Sequence, residues 1–331
     1  MKVTVLGSGG WGTALALVLL ENGHEVNLWS FTKEEYESIA ANRENPMLKG
    51  VALPEALHLT YDMNVAADSA MVVLATPSFA VRTTAQKLKS IVKPGTVLVS
   101  VSKGIEDGTS KRLSQAIQEE TEGTCPVVVL CGPTHAEEVG RGIPSAIVAA
   151  SENQQAAETV QDLFINKRFR VYTSSDVVGA EIGAALKNVI ALCAGISDGM
   201  GFGDNTRAML MTRGLTEIAR LGVALGGKQA TFAGLTGVGD LIVTCTSMHS
   251  RNHRAGILIG QGVEPQEAVK QIGAVVEGFY AAKTARELAH KHGVEMPITE
   301  AAYSVLYEGM NPADALTKLM GRDRKREDAW V

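Results

Sequence analysis

The feature that most constrains this chain lies at its amino terminus. Lys2-Val3-Thr4-Val5-Leu6, a β-branched apolar run, leads directly into Gly7-Ser8-Gly9-Gly10-Trp11-Gly12, and an apolar helical pattern follows from Thr13 to Glu21. Strand, G-x-G-x-x-G turn and helix in that order open a βαβ unit, whose next strand must run parallel to the first. Each glycine has a job: Gly7 permits the tight turn, Gly9 lets a ligand approach the backbone, and Gly12 lets helix and strand pack closely. The helix start adds unpaired N–H groups and a favourable dipole, which together suit phosphate. The motif alone is common in glycine-rich chains, and a glycine turn without ligand is the bland alternative. Its position between strand and helix favours a dinucleotide-binding turn.

The pattern continues as that turn requires. Short β-branched runs, Glu25 to Trp29, Ala70 to Ala75, Thr96 to Val101 and Val127 to Leu130, alternate with helical stretches, which predicts a parallel sheet covered on both faces. Ser145 to Ala149 and Phe169 to Tyr172 flank a helical pattern at 153–166 and extend the same sheet. Beyond Ser175 strand signals almost vanish, and helical patterns follow at 177–197, 205–221, 277–292 and 298–307. The fold expected is α/β: a doubly wound Rossmann domain over residues 1–175, then an all-helical domain over 176–331. A chain of 331 residues is long enough for two cores. Its tail, Arg322 to Asp328, mixes both charge signs and reads as a solvated end.

Composition excludes some partners. With a net charge of −5 the chain has no basic field to condense onto nucleic acid or an anionic membrane. Met1 to Leu6 lacks signal-peptide features, and no uninterrupted apolar run approaches transmembrane length, so a cytoplasmic protein without membrane insertion is expected. The 4 cysteines include no Cys-x-x-Cys pair and read as buried thiols. His249 and His253 have a helical metal spacing but no recognisable third ligand, so no metal site is expected.

Three turns fall at the carboxyl ends of strands, where ligands of open α/β sheets collect: Thr76-Pro77-Ser78, Ser102-Lys103-Gly104 and Gly132-Pro133-Thr134-His135-Ala136. A ribose-binding acid is expected about 20 residues after the glycines. The second strand instead runs into Ser30-Phe31-Thr32, and Glu34 and Glu35 look like first-turn helix acids. The missing acid leans towards NADP or dual use, with Lys33 and Arg43 no more than candidate partners for a 2′-phosphate, and the choice between NADPH and NADH stays open. Lys187 sits inside the apolar helix Ile182 to Ala191, with Ala180, Ala184, Ala191 and Ala194 nearby at helical spacing. Desolvation there lowers an ammonium pKa towards the range useful for proton transfer. The alternative is a snorkelling lysine or one paired to Glu181. Arg251 suits a phosphate by its fork of donors, or is a surface arginine in a polar loop.

That helix, with Gly195, Asp198-Gly199-Met200-Gly201-Phe202-Gly203 and Asn205-Thr206-Arg207-Ala208, resembles the signature of bacterial NAD(P)-dependent glycerol-3-phosphate dehydrogenases. The likeness includes Cys131-Gly132-Pro133-Thr134, Leu235 to Leu241, Ser250-Arg251-Asn252, Val275-Val276-Glu277-Gly278 and Met296 to Thr299. The resemblance implies an enzyme that interconverts dihydroxyacetone phosphate and sn-glycerol 3-phosphate, for glycerophospholipid synthesis, with Lys187 as the proton donor and acceptor. It implies that Lys103 and Asp240 lie at the reacting end. It assigns Lys103, Gly132, Thr134, Lys187, Asp240, Ser250, Arg251 and Asn252 to the substrate. To the cofactor it assigns Gly7, Gly9, Gly10, Trp11, Gly12, Phe31, Lys103, Ala136, Arg251, Val275 and Glu277. Family members vary at Gly10 and Phe31, so contacts there are largely backbone. A homodimer is also implied.

Two other readings compete. A β-hydroxy acid dehydrogenase of the same architecture resembles its relatives in a Lys-x-x-x-Asn helix, whereas the fourth residue after Lys187 is Ala191. A non-catalytic dinucleotide-sensing module has no need of Lys187, Asp240 and Arg251 together.

Overall fold

The structure is a computed structural model and describes residues 1–324 and 326–327. Lys325 and Asp328, part of the mixed-charge tail, lie outside the described residues. The chain forms two compact units, one of Met1–Ser102 with Lys111–Val177, the other of Lys103–Ser110 with the chain from Val178 onward. The sequence reading leaves Lys103–Ser110 in the first domain. Those residues pack with the second because Ile105 joins its apolar core, Lys103 pairs with Asp240, and Asp107 faces Lys283 at 3.8 Å.

The first unit is built on an 8-stranded sheet in the order β3-β2-β1-β4-β5-β6-β7-β8. The strands are β1 (Lys2–Leu6), β2 (Glu25–Trp29), β3 (His58–Thr60), β4 (Met71–Leu74), β5 (Val97–Ser100), β6 (Val127–Cys131), β7 (Ser145–Ala150) and β8 (Phe169–Ser174). Helices α1 (Gly10–Glu21), α2 (Lys33–Asn42), α3 (Val81–Leu88), α4 (Leu113–Glu120), α5 (Ala136–Gly140) and α6 (Gln154–Phe164) connect them. The period-2 alternation divides each central strand between two cores. Val3, Val5, Val73, Val99 and Val128 face one side, whereas Leu6, Val72, Leu74 and Leu98 face the other. The order of strands reverses between β1 and β4, and Gly7 stands at that switch point.

Two strand expectations are corrected. The short strand β3 has no run long enough to announce itself, and it pairs with β2. The sheet is not wholly parallel, since β7 runs antiparallel to β6. A parallel return needs a crossover that spans the sheet. The five residues of α5 cover only about 7–8 Å, whereas a six-residue strand runs about 20 Å.

The second unit is helical among the described residues, with α7 (Val177–Gly199), α8 (Asp204–Ala224), α9 (Gln229–Phe232), α10 (Asp240–Thr246), α11 (Arg251–Gly260), α12 (Pro265–Ile272), α13 (Glu277–His292), α14 (Pro297–Tyr307) and α15 (Pro312–Met320). Helix α7 is apolar all round because it feeds two cores, Ile182, Leu186 and Ile190 entering one and Val189, Leu192 and Ile196 the other. Glu181 and Lys187 interrupt its apolar run; by length and mean hydropathy alone it could cross a membrane, and 89% of its most apolar window is buried inside the protein, as befits a core helix.

Glycines bring α7 and α11 into close contact. A methyl on Gly195 or Gly199 would strike the carbonyls of His253 and Ile257, and one on Gly256 or Gly260 those of Leu192 and Ile196. Reciprocal small residues let the two backbones touch, which fixes the start of α11 relative to the lysine-bearing stretch of α7.

Candidate active site

The residues singled out from the sequence fall into two groups, one in each unit. In the first unit they surround the turn between β1 and α1. Gly7 has φ +119°, and a methyl there would lie 2.5 Å from the carbonyl oxygen of Ala75; a methyl on Gly12 would collide with the carbonyl of Gly7. Around the Cβ position of Gly9 nothing lies within 4 Å. The turn is therefore closed where helix meets strand and open at its crest, where a pyrophosphate approaches. Trp11, in the first turn of α1, holds its indole N–H buried with no hydrogen-bond partner, a donor awaiting an acceptor. Ala136, at the start of α5, lies against Gly10. These features fit a bound dinucleotide.

A buried amide that the sequence reading missed holds this turn in shape. Asn45, 1% exposed, donates to the Ser8 carbonyl at 2.7 Å and the Thr13 hydroxyl at 2.6 Å, and accepts from the Met47 N–H at 2.8 Å. Met47 in turn explains the extra glycine of the fingerprint, because a methyl on Gly10 would lie 2.7 Å from the Met47 carbonyl oxygen. Elsewhere in the unit, Phe31 follows β2, and Gly132 and Thr134 follow β6. No acid replaces the missing ribose ligand among the nearest candidates. Glu35 accepts the Phe31 N–H at 3.2 Å while its own N–H donates to Thr32, a helix cap.

In the second unit Lys187, Lys103 and Asp240 form one cluster. Lys187 Nζ donates to Asp240 Oδ1 at 2.5 Å and to Thr244 Oγ1 at 2.6 Å, and Lys103 Nζ donates to Asp240 Oδ2 at 2.9 Å. The side chains of Lys187 and Asp240 are 5% and 1% exposed, so Lys187 is neither snorkelling nor paired to Glu181. Burial pulls its ammonium from 10.5 down to about 8, the Asp240 carboxylate resists, and the Lys103 charge adds to the lowering. Two ammonium groups on one carboxylate leave the cluster with a net positive charge, suited to an oxygen that is becoming an alkoxide.

The backbone explains how Asp240 reaches that helix. The π-helical turn Leu235–Gly239 runs straight into α10, and Gly183, one turn before Lys187, lets the Thr236 carbonyl approach: a methyl there would sit 2.5 Å from that oxygen. Thr244 lies one turn after Asp240, and its hydroxyl donates back to the Asp240 carbonyl at 2.6 Å.

Helix α11 begins beside this cluster in the same unit. Ser250 caps it by accepting the His253 N–H at 3.2 Å, Arg251 is its exposed first residue, and Asn252 is buried. The Asn252 amide donates to Asn188 Oδ1 at 2.9 Å and accepts from the Gly278 N–H at 2.8 Å. Asn188 follows Lys187 on α7, and Gly278 follows Glu277 at the start of α13. One amide thus links the lysine helix, the Ser250-Arg251-Asn252 segment and the Val275–Glu277 segment. Asn188 and Thr244 were missed by the sequence reading. The signal existed for Asn188, a carboxamide inside the same apolar helix that drew attention to Lys187, and for Thr244 in its one-turn spacing from Asp240.

His253 bonds Asp198 Oδ2 at 2.7 Å and His249 is exposed; no group of three metal-ligating side chains occurs among the described residues. A cavity of about 700 Å³, lined by His290, Glu295, Met296, Glu300, Lys318 and Arg322 among others, contains none of the site residues.

Comparison with known proteins agrees over both units. The family model described as NAD-dependent glycerol-3-phosphate dehydrogenase N-terminus matches residues 2–157, and that of the C-terminus matches residues 176–317. The glycerol-3-phosphate dehydrogenase [NAD(P)+] of Desulfitobacterium hafniense is 52% identical, covering 98% of this chain and 93% of its own length. The enzyme of the same name from a Thermoanaerobacter species is 54% identical, with 99% of each chain covered. Among solved structures, glycerol-3-phosphate dehydrogenase from Coxiella burnetii superposes with a TM-score of 0.93 at 37% identity, covering 97% of this chain and 99% of its own. With a fingerprint turn in one unit and a buried lysine cluster in the other, the chain belongs to the NAD-dependent glycerol-3-phosphate dehydrogenase family.

Proposed function

We propose that this chain interconverts dihydroxyacetone phosphate and sn-glycerol 3-phosphate with NADPH or NADH, supplying sn-glycerol 3-phosphate for glycerophospholipid synthesis. The observation that carries the reading is the buried Lys187–Asp240–Lys103 cluster in a chain with full-length relatives of that name. Gly7, Gly9, Gly10, Gly12 and the start of α1 receive the pyrophosphate, and Trp11, Phe31, Ala136, Val275 and Glu277 complete the cofactor contacts. When bound, the reduced nicotinamide supplies the hydride for the substrate's carbonyl carbon.

The chain's own residues handle the proton and the charge. Lys187 Nζ donates its proton to the carbonyl oxygen as negative charge develops there, and Lys103 holds a second positive charge at the reacting end. Asp240 orients both ammonium groups and keeps Lys187 protonated against its burial. Afterwards Lys187 is neutral and regains a proton from water; in the oxidation direction the neutral amine takes the hydroxyl proton. Arg251 and the N–H groups at the start of α11 bind the substrate phosphate, with Gly132, Thr134, Ser250 and Asn252 at its remaining oxygens. The family resemblance suggests a homodimer, and the burial of the apolar helix α7 fits a cytoplasmic protein without membrane insertion; size-exclusion chromatography with light scattering and cell fractionation check these readings.

The test is an absorbance assay of NADPH and NADH oxidation with dihydroxyacetone phosphate, hydroxyisobutyrate semialdehyde or neither. Turnover with dihydroxyacetone phosphate alone is expected. Turnover with the semialdehyde, or with neither substrate, would reject the reading.

A further inference from the structure

The choice between NADPH and NADH turns on which charges stand at the carboxyl end of β2, where the adenosine ribose of a dinucleotide lies in this fold. The two basic residues nearest in sequence are engaged elsewhere. Lys33 Nζ is 3.3 Å from Glu37, and the Arg43 guanidinium donates to the carbonyls of Leu53, Pro54 and Leu57. Both cations raised from the sequence therefore already have partners on the protein, Lys33 in an exposed pair and Arg43 on backbone carbonyls.

A third cation arrives from another element. Lys87, on α3, holds its Nζ 5.9 Å from the ring centroid of Phe31, and that ring is 71% exposed. The neighbouring cations of this region are all matched. Arg82 pairs with Glu119 at 2.9 Å and Glu120 at 2.7 Å, Lys89 with Glu122 at 2.7 Å, and Lys93 with Asp68 at 2.9 Å. Lys87 has no carboxylate partner among the described residues. An ammonium held over an aromatic face keeps its charge uncompensated while losing some of its freedom, which is the state that recognises an incoming anion at least entropic cost.

We infer that Lys87 is the residue that discriminates between the two cofactors, its ammonium pairing with the 2′-phosphate of NADPH beside the Phe31 ring. This rests on the proposed function only in requiring that the protein use a nicotinamide dinucleotide. The phosphate supplies close to two negative charges, whereas the ribose hydroxyl of NADH supplies none. The pair is solvent-exposed, so its effect is moderate and weakens with salt.

The experiment compares wild type, Lys87→Met, Lys87→Arg and Lys89→Met, measuring Kd by nicotinamide fluorescence and kcat/KM for both cofactors. The NADPH-to-NADH ratio of kcat/KM should fall about five- to tenfold in Lys87→Met, with the Kd ratio rising to match, hold within about twofold in Lys87→Arg, and stay put in Lys89→Met, whose lysine is paired with Glu122. Raising the ionic strength should erode the wild-type ratio more than that of Lys87→Met. An unchanged ratio in Lys87→Met, or an equal fall in Lys89→Met, overturns the inference. Absent turnover in the wild type would reject the proposed function instead, and the Kd ratios would still decide the role of Lys87.

Discussion

Among single residues, Lys187 stands where lysines are costly, buried in an apolar helix. Its pKa near 8 has a direct consequence for rate. The protonated form serves reduction, so kcat/KM for dihydroxyacetone phosphate should decline as pH rises through about 8. The neutral form serves oxidation, so kcat/KM for sn-glycerol 3-phosphate should decline as pH falls through the same value. Lys187→Met keeps the apolar stem and removes the proton; turnover should drop at least ~10²-fold while NADPH affinity and melting temperature stay close to wild type. Near-normal turnover in that folded variant would show that Lys187 is structural. Arg251→Lys tests phosphate recognition separately. A point charge replaces a fork, so KM for dihydroxyacetone phosphate should rise several-fold, with a much smaller effect on unphosphorylated dihydroxyacetone. Equal losses for both substrates would point away from a phosphate contact.

At the scale of elements, the chain shows what a sequence can and cannot disclose. Strands β1, β2, β4, β5 and β6 were legible because fully buried parallel strands read as runs of Val and Leu. Strand β3 is three residues long and carries no such run, and the direction of β7 follows from the shortness of α5, which periodicity does not reveal. The same division holds for the site. Lys187 and the glycines stood out by type and context, whereas Asn45 lies in an irregular segment where an asparagine reads as an ordinary turn residue. Its two donor contacts bind that segment to both sides of the fingerprint turn. Asn45→Ala should therefore raise KM for NADPH by about five- to tenfold, the size of one or two buried hydrogen bonds, and leave kcat and KM for dihydroxyacetone phosphate within about twofold. Steady-state kinetics with each substrate varied in turn would decide; parallel losses in all three parameters would mean general unfolding.

For the whole molecule, stability should answer to two levers, each acting on a different unit. Cofactor binding at the fingerprint stabilises the state that carries the folded first unit, by mass action. In the second unit the lever is pH, through Glu217. This carboxyl, on α8, accepts the N–H groups of Ile298 at 2.7 Å and Thr299 at 3.2 Å, and so holds the first turn of α14. Burial nevertheless raises its pKa from 4.5 to about 7, outweighing those N–H donors, the Thr299 hydroxyl and the Arg220 charge. Cys193, near enough to feel the Glu217 charge, is a thiol pushed up to about 12 and stays neutral throughout this range. Between pH 4.5 and 7 the folded state therefore binds more protons than the unfolded chain, so stability falls as pH rises through that window and levels off above it. The loss is on the order of 3 kcal/mol. Glu217→Gln removes the ionisation and keeps an acceptor for one N–H. Relative to wild type, its melting temperature without cofactor should be lowest near pH 5 and should gain steadily up to pH 8. If the difference between the two proteins is flat across that range, Glu217 is ionised at every pH tested and the donors at α14 outweigh its burial.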